Sequence, residues 1–194
     1  MQIIRAGDCR TMPWKNGGGS TTEIAAGPPG ASLDGFDWRI SMARVATDGP
    51  FSHFAGIDRT LAVVDGGGME LVVDGQAPVV LSRETDPLVF PGDVPVSARL
   101  RAGAITDLNV MTRRGRYTHQ LLRLSSRPVR IGDDIDILLV LVLHDGADVE
   151  AAGTTTRLGP GDSLILRAPA VGEIRVASPG AAESYLVLLR EIRA

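Results

Sequence analysis

Apolar and polar residues alternate with a period of two along much of this 194-residue chain. In the segment 36–45, "FDWRISMARV", the polar residues Asp37, Arg39 and Ser41 alternate with large apolar side chains. Because successive side chains of a β-strand point to opposite faces, this pattern predicts a strand with Arg39 and Ser41 on one face.

The same pattern, punctuated by 23 glycines and 12 prolines, continues to the end of the chain. The predicted strands lie in "RTLAVV", "MELVV", "APVVLS", "VPVSARL", "ITDLNVMT", "YTHQLLRLS", "ILLVLVLH", "DSLILRA", "GEIRVAS" and "ESYLVLLREI". The last is predicted as a closing strand rather than a helix, since Tyr, Val and Ile favour strands. Many short strands separated by turns indicate an all-β sandwich or barrel.

A weak internal repeat suggests that this β-structure occurs twice. A hairpin followed by Pro-Gly-Asp and another strand occurs at Pro91-Gly92-Asp93 and again at Pro160-Gly161-Asp162. The preferred interpretation is two copies of one β-barrel unit, residues 1–116 and 117–194; the alternative is two unrelated turns in a turn-rich protein. Two hairpins of this kind resemble the cupin fold, and the pair implies a bicupin.

Composition narrows the range of functions. The net charge is −3, which argues against a nucleic-acid-binding scaffold. The single cysteine, Cys9, excludes a disulfide framework, and the N-terminus lacks the apolar core of a secretory signal. The longest apolar run, "ILLVLVL", is too short to cross a bilayer. We therefore expect a cytoplasmic protein that binds neither nucleic acid nor membrane.

The sequence contains few candidate ligands for a metal site. Metal-binding cupins carry two histidines one residue apart, then a glutamate, and a third histidine beyond a Pro-Gly turn. Here His53, His119 and His144 are scattered, and no histidine follows Pro91 or Pro160. Because a first-row metal needs several converging ligands, we expect no metal and no cofactor, and interpret His53 as a loop residue.

A set of polar residues is instead placed by strand alternation. Arg39 and Ser41 share one face of their predicted strand, and Asp107 and Asn109 share one face of "ITDLNVM". These four side chains either line a barrel interior, where they need partners or a ligand, or face solvent on an exposed sheet. Arg59 either pairs with its neighbour Asp58 to fix a loop or grips a carboxylate with its guanidinium.

Four separated motifs identify a resemblance that extends over residues 12–114. "PWKNGGGSTTEI", "DWRIS", "DGPFS" with the later Asp58-Arg59, and "DLNVM" occur in the order found in the HutD/Ves family of bicupins. The resemblance implies binding of a small carboxylate or formylated metabolite, with N-formylglutamate as the favoured candidate. It also implies a regulatory or flux-limiting role in histidine utilisation rather than catalysis.

The resemblance also supplies the expected ligand-binding residues, which are Lys15, Asn16, Arg39, Ser41, Arg59, Asp107 and Asn109. The arginines would hold carboxylate or formyl oxygens, and the asparagines would meet an amide-like group. Trp14 would either wall the pocket or serve as a buried structural residue. The alternative function is a metal-independent isomerase or hydrolase with Asp107 as base; a scaffold acting through protein contacts, and pairing into a homodimer, also stay open.

The triplet Gly17-Gly18-Gly19 is the most flexible segment and follows the only lysine of the chain, Lys15. We interpret it as letting backbone amides approach a bound group while Lys15 and Asn16 reach towards the barrel mouth. The alternative is an ordinary edge turn.

Overall fold

A computed structural model describes residues 1–124, 129–151, 153–168, 173–177 and 184–193 of the chain. Its strands are β1 (Gln2–Ile4), β2 (Arg10–Pro13), β3 (Gly19–Gly27), β4 (Trp38–Val45), β5 (Gly49–Pro50), β6 (Ile57–Asp65), β7 (Met69–Val73), β8 (Val79–Leu81), β9 (Leu88–Pro91), β10 (Val96–Leu100), β11 (Ile105–Arg113), β12 (Tyr117–Arg123), β13 (Val129–Arg130), β14 (Ile137–Val142), β15 (Ala147–Ala151), β16 (Thr154–Leu158), β17 (Ser163–Arg167), β18 (Glu173–Ala177) and β19 (Ser184–Glu191). A 3₁₀ turn spans Ala6–Asp8. No helix in the described part of the chain has the length and apolar character needed to cross a membrane.

The chain divides into two compact units, of which one is Arg10–Arg116. It holds a six-stranded sheet in the order β2-β3-β4-β11-β6-β9 and a four-stranded sheet in the order β5-β10-β7-β8. An apolar cluster contains side chains of both sheets, among them Leu61 and Val63 of β6 with Met69 and Leu71 of β7. Burial of these side chains holds the two sheets of this unit together.

The other unit consists of Met1–Cys9 and Tyr117–Ala194. Its sheets have the orders β1-β17-β14-β19-β12 and β13-β18-β15-β16. Leu138, Val140 and Val142 of β14 are fully buried in its core, as are Leu186 of β19 and Val149 of β15. The inward positions of β14 are thus apolar throughout.

The strand orders show that the fold is duplicated. The order β4-β11-β6-β9 of one unit corresponds to β12-β19-β14-β17 of the other, and β5-β10-β7-β8 corresponds to β13-β18-β15-β16. The nearly all-β architecture predicted from the alternation pattern is therefore confirmed, and it occurs in two barrel-like units.

The two Pro-Gly-Asp turns, however, do not occupy equivalent positions. Residues 91–93 lie at the end of β9, whereas residues 160–162 precede β17, the counterpart of β9. The alternative of two unrelated turns is thus correct for the turns, although the duplication itself is present. Ser125, the last residue of the predicted strand "YTHQLLRLS", lies outside the described residues.

The predicted boundaries need one correction, because residues 1–9 do not belong with residues 10–116. β1 pairs antiparallel with β17, with Ile3 opposite Leu164. Asp162 accepts hydrogen bonds from Ala6 N at 2.9 Å and from Arg5 Nη1 at 2.6 Å. These contacts join residues that are more than 150 positions apart in sequence, and local patterns do not reveal such pairings.

Most predicted strands are present, and the terminal segment forms the strand β19 rather than a helix. The alternation pattern missed β3, which directly follows the glycine triplet. Its sequence, "GSTTEIAAG", has mainly small and hydroxyl side chains, so apolar alternation is weak there. This strand adds an important residue to the site.

Candidate functional site

The unit Arg10–Arg116 contains an open cavity of about 740 Å³. All the ligand-binding residues expected from the family resemblance line it: Lys15, Asn16, Arg39, Ser41, Arg59, Asp107 and Asn109. Trp14 and Leu33 contribute to its apolar wall. Residues spread over almost a hundred positions of sequence are therefore brought to one place, although their binding role stays a prediction.

Strand register explains how the floor of this cavity forms. Ser41 of β4 lies opposite Asn109 of β11, and Ala43 lies opposite Asp107. Directly opposed residues of an antiparallel pair point to the same face of the sheet. Arg39 is 4% exposed, Asp107 0% and Asn109 5%, so these polar residues face the barrel interior and the solvent-facing alternative is wrong.

A chain of hydrogen bonds connects three of the floor residues. Arg59 Nη2 donates to Asn109 Oδ1 at 2.6 Å, and Asn109 Nδ2 donates to Asp107 Oδ1 at 2.5 Å. Arg59 Nη1 also donates to the carbonyl of Ser52 at 3.3 Å. Asn109 is thus the bridge between a buried cation and a buried carboxyl group.

Aromatic rings surround the Arg59 guanidinium. Its central carbon lies 5.2 Å from the ring centroid of Phe51, 5.6 Å from Phe54 and 5.2 Å from Phe90. Burial lowers the pKa of Arg59 to about 10, although the nearby Asp107 opposes the shift. Arg59 therefore stays charged at neutral pH and is held in place by cation–π contacts. Sequence analysis missed these aromatic residues as site residues, although Phe51 belongs to the "DGPFS" motif.

Asp107 is a fully buried acid with a raised pKa and, within the described ranges, one unpaired carboxyl oxygen. Burial raises its pKa to about 7, although Arg59 and the hydrogen bond from Asn109 oppose the shift. Asp107 Oδ2 is buried and has no hydrogen-bond partner among the described residues, and the same is true of Arg59 Nε. Unpaired buried polar atoms are costly and mark a site prepared for a partner.

A second guanidinium is fixed by a residue that sequence analysis did not assign to the site. Arg39 Nε donates to Glu23 Oε2 at 2.7 Å. Glu23 lies on β3 opposite Ser41 of β4, so the strand missed from the pattern positions it. The motif "GGGSTTEI" contains Glu23 and was the feature of the sequence that could have identified it as a site residue. Because this bond uses only Nε, the Nη donors of Arg39, which lines the cavity, are not committed to Glu23.

The glycine triplet builds a turn and does not present its amides to the cavity. Gly17 N donates to Trp14 O at 3.0 Å, and Gly18 N donates to Asn16 Oδ1 at 3.0 Å. A Cβ on Gly19 would lie 2.1 Å from the carbonyl oxygen of Arg44. The edge-turn alternative therefore describes Gly17 and Gly18 better than ligand binding through their amides.

The turn still shapes the mouth of the cavity. Lys15 and Asn16 are exposed there, whereas Trp14 is half-buried and packs against the apolar core of the unit. Trp14 Nε1 donates to Thr21 Oγ1 at 2.8 Å. Trp14 thus serves both expected purposes, as a wall of the cavity and as a structural residue.

Asp58 and Arg59 do not pair with each other. Asp58 accepts from Arg114 Nε at 2.6 Å on the opposite face of β6, so the loop-fixing alternative for Arg59 is wrong. Arg114 also donates to both carboxylate oxygens of Asp93, which holds the pKa of Asp93 far below its usual range. His53 is exposed and lies 3.1 Å from the carbonyl oxygen of Asp93 through Nε2, as expected for a loop residue.

The donor set of the cavity does not fit the metal that many cupins hold. Two guanidiniums, Arg39 and Arg59, line the cavity together with the buried carboxyl group of Asp107 and the exposed one of Asp48. A divalent cation prefers several anionic or neutral ligands and is repelled by neighbouring positive charge. Over the described ranges, no group of three His, Cys, Asp or Glu side chains is arranged to hold a metal ion.

Comparison with known proteins identifies the family of this chain. The HutD family model matches residues 6–185. The chain belongs to the HutD family. A curated relative from Pseudomonas putida, described as an uncharacterised 21.2 kDa protein in the hutC 3′ region, is 40% identical over 167 residues, which cover 86% of each chain. Protein Ves of Citrobacter koseri is 42% identical over 114 residues, covering 56% of this chain and 58% of Ves.

Solved structures agree with this assignment. HutD from Pseudomonas fluorescens SBW25, determined under a formate condition, matches with a TM-score of 0.82 and 36% identity over 99% of both chains. A cupin 2 conserved barrel domain protein from Leptotrichia buccalis matches with a TM-score of 0.56 at 13% identity, which shows a shared fold. This HutD-family chain thus has the cupin-like β fold that its sequence predicted.

Proposed function

We propose that this HutD-family protein binds a small carboxylate or formylated metabolite in the cavity of residues 10–116, with N-formylglutamate as the leading candidate. The observation that carries the proposal is the convergence of Arg39 and Arg59 on one cavity, where Asp107 is the only buried carboxyl group among the described lining residues. Guanidinium groups bind carboxylates through paired, charge-assisted hydrogen bonds. Asn109 and Ser41 add neutral polar groups to the cavity lining.

The charge balance supports an anionic ligand. The Arg39 charge is partly offset by Glu23, whose side chain is 35% exposed and therefore screened by water. The Arg59 charge lies among three aromatic rings, and burial raises the pKa of its nearest acid, Asp107, to about 7. Three basic residues, Lys15, Arg39 and Arg59, line the cavity against two acidic residues, Asp48 and Asp107, so the lining favours negative charge.

The relatives support a link to histidine utilisation. The Pseudomonas putida relative is described by its position in the hutC 3′ region. We therefore propose a regulatory or flux-limiting role in histidine utilisation, exerted by binding an intermediate of the pathway.

Thermal unfolding in the presence of N-formyl-L-glutamate tests this function. A ligand at a hundredfold excess over its Kd stabilises the folded state by about 2.7 kcal/mol, so the melting temperature rises and saturates. The matched control is the uncharged diamide of the same compound, which has the same shape and lacks both carboxylates. Unchanged melting with N-formyl-L-glutamate and with other histidine-pathway intermediates would contradict the proposal.

One observation favours a second function, a metal-independent isomerase or hydrolase. A carboxyl group with its pKa raised to about 7 suits general acid–base catalysis near neutral pH, and Asp107 has this property. No histidine is among the described residues that line the cavity, so Asp107 is its principal candidate base. Turnover of N-formyl-L-glutamate, followed by NMR and abolished in Asp107→Asn, would establish this function; intact ligand after prolonged incubation would exclude it for this compound.

A further inference from the structure

The hydrogen bonds of the cavity floor determine which way the Asn109 amide points. Arg59 has only donor groups, so the atom of Asn109 that faces Arg59 Nη2 at 2.6 Å is the carbonyl oxygen, Oδ1. The amide nitrogen Nδ2 then faces Asp107 and donates to its Oδ1 at 2.5 Å. The orientation of Asn109 is thus set by chemistry and cannot reverse without losing both bonds.

This orientation leaves one atom of Asp107 for a ligand. Oδ1 is engaged by Asn109, whereas Oδ2 is buried and has no hydrogen-bond partner in the described part of the protein. Asp107 lines the cavity although its own surface is covered. A buried carboxylate oxygen without a partner carries a desolvation cost, and a ligand that donates a hydrogen bond to it would remove that cost.

We propose that Asp107 Oδ2 accepts a hydrogen bond from an N–H group of the ligand, so that the cavity selects N-acylated amino acids over esters and simple carboxylates of equal charge. The inference rests on the proposed function, since it assigns a specificity-determining residue to the same cavity. It goes beyond that function because it states which part of the ligand is recognised at the floor.

The second unpaired atom of the floor favours an acylated nitrogen in particular. Arg59 Nε is a buried donor without a partner among the described residues. An acyl-amide group offers both a donor, its N–H, and an acceptor, its carbonyl oxygen, which are the two complements that the floor lacks. A carboxylate offers acceptors only and would be repelled by ionised Asp107. An ammonium group would be repelled by Arg59 and Arg39.

Two ligands that differ in one group of atoms test the inference. N-acetyl-L-glutamate and (S)-2-acetoxyglutarate have the same two carboxylates and the same acyl group, but an ester oxygen replaces the N–H in the second. Binding is measured by calorimetry on the full chain at pH 8.5, where Asp107 is mostly ionised because its pKa is about 7. We expect the amide to bind at least tenfold more tightly than the ester.

The variant Asp107→Asn reverses the chemistry at this position. Asn109 Nδ2 still requires an acceptor, so it holds the carbonyl oxygen of the new side chain and turns the new amide nitrogen to where Oδ2 was. The position then offers a donor, and we expect the ester to bind at least as well as the amide. Asp48→Asn is the matched control, because Asp48 also lines the cavity but is exposed and accepts from Leu100 N; it keeps the wild-type ratio.

Each outcome has a distinct meaning. Equal binding of amide and ester to the wild-type chain overturns the inference and leaves the proposed carboxylate-binding function standing. Absence of binding for both ligands overturns the inference, and thermal unfolding with N-formyl-L-glutamate then decides the proposed function separately. The wild-type comparison decides the inference even if Asp107→Asn fails to fold, and circular dichroism of each variant establishes folding. A wild-type preference for the amide that persists undiminished in folded Asp107→Asn would also overturn it, because another residue would then recognise the N–H.

Discussion

Arg59 Nη2 donates a 2.6 Å hydrogen bond to Asn109 Oδ1 and thereby joins β6 to β11 at the floor of the cavity. Both residues are almost fully buried, and Leu61 rather than Arg59 lies directly opposite Asn109 in the strand pairing. The long arginine side chain therefore reaches along the sheet to make this bond. A cation placed in this way requires a function, because a hydrophobic residue would fill the same space at lower desolvation cost.

Replacing Arg59 by methionine separates binding from stability. Arg59→Met removes the guanidinium but keeps a flexible apolar side chain among Phe51, Phe54 and Phe90. We expect affinity for N-formyl-L-glutamate to fall by about tenfold or more, since a charge-assisted hydrogen bond contributes about 1.5–3 kcal/mol. The free energy of unfolding should fall by about 1–3 kcal/mol, because the substitution leaves Asn109 Oδ1 buried without its donor.

Calorimetry and urea denaturation measure these two quantities. Arg99→Met is the control, since Arg99 is an exposed residue of β10 outside the cavity lining, and it should leave affinity unchanged. Wild-type affinity in Arg59→Met would remove Arg59 from the ligand-binding set.

Substitutions of Glu23 test whether Arg39 must be held in position to bind an anion or acts only through its positive charge. In Glu23→Ala, Arg39 loses the 2.7 Å bond to its Nε and is free to adopt other rotamers, so we expect affinity for an anionic ligand to fall by about tenfold. Glu23→Gln keeps an acceptor for Nε and should restore most of the affinity. If net charge dominated instead, both variants would bind the anion more tightly than wild type, and calorimetry at low and high salt would show it.

The alternation pattern predicted much of the site because strand geometry converts spacing into direction. The pattern placed Arg39 and Ser41 on one face of their strand and Asp107 and Asn109 on one face of theirs, and burial in the structure shows that both faces point inward. The family motifs added Lys15, Asn16 and Arg59, and all seven residues line one cavity. These residues were accessible to sequence analysis because side-chain direction in a strand depends only on local periodicity.

The features that sequence analysis missed depend on contacts distant in sequence. Glu23 reaches Arg39 only because β3 pairs with β4, and the aromatic rings meet Arg59 only because β9 and the loop after β5 lie beside β6. The pairing of β1 with β17 is likewise invisible to a local pattern. The two Pro-Gly-Asp turns show a different limit of local patterns. Their sequences are alike, but they occupy different positions in the two units.

The raised pKa of Asp107 predicts a specific pH dependence of stability. Its ordinary value is 3.8, and burial raises it to about 7 in the folded protein. The folded state therefore holds a proton between about pH 4 and pH 7 that the unfolded state releases. The contribution of Asp107 to stability is greatest below pH 4, falls as the pH rises to about 7 and is constant above, with a slope of at most about 1.4 kcal/mol per pH unit.

Urea denaturation of wild type and Asp107→Asn at pH 5, 6 and 8 measures this contribution. Because the variant cannot titrate at this position, the wild-type free energy of unfolding relative to the variant should decrease from pH 5 to pH 8. Parallel pH profiles of the two proteins would show that Asp107 ionises at its ordinary pKa.

The glycine turn provides the last prediction, which separates close packing from backbone conformation. A Cβ on Gly19 would lie 2.1 Å from the Arg44 carbonyl oxygen and 3.0 Å from the Trp14 ring, so β3 could not keep its pairing with β4. We expect Gly19→Ala to destabilise the fold by about 3 kcal/mol or more, at the upper end of overpacking effects. Gly17 has φ +70° and open space around it, so Gly17→Ala should cost only the left-handed backbone penalty of about 1–2 kcal/mol. Gly17→Asn should recover part of that loss because asparagine tolerates this conformation. Urea denaturation ranks the three variants, and a Gly19→Ala protein as stable as Gly17→Ala would mean that the strand edge yields more easily than its contacts indicate.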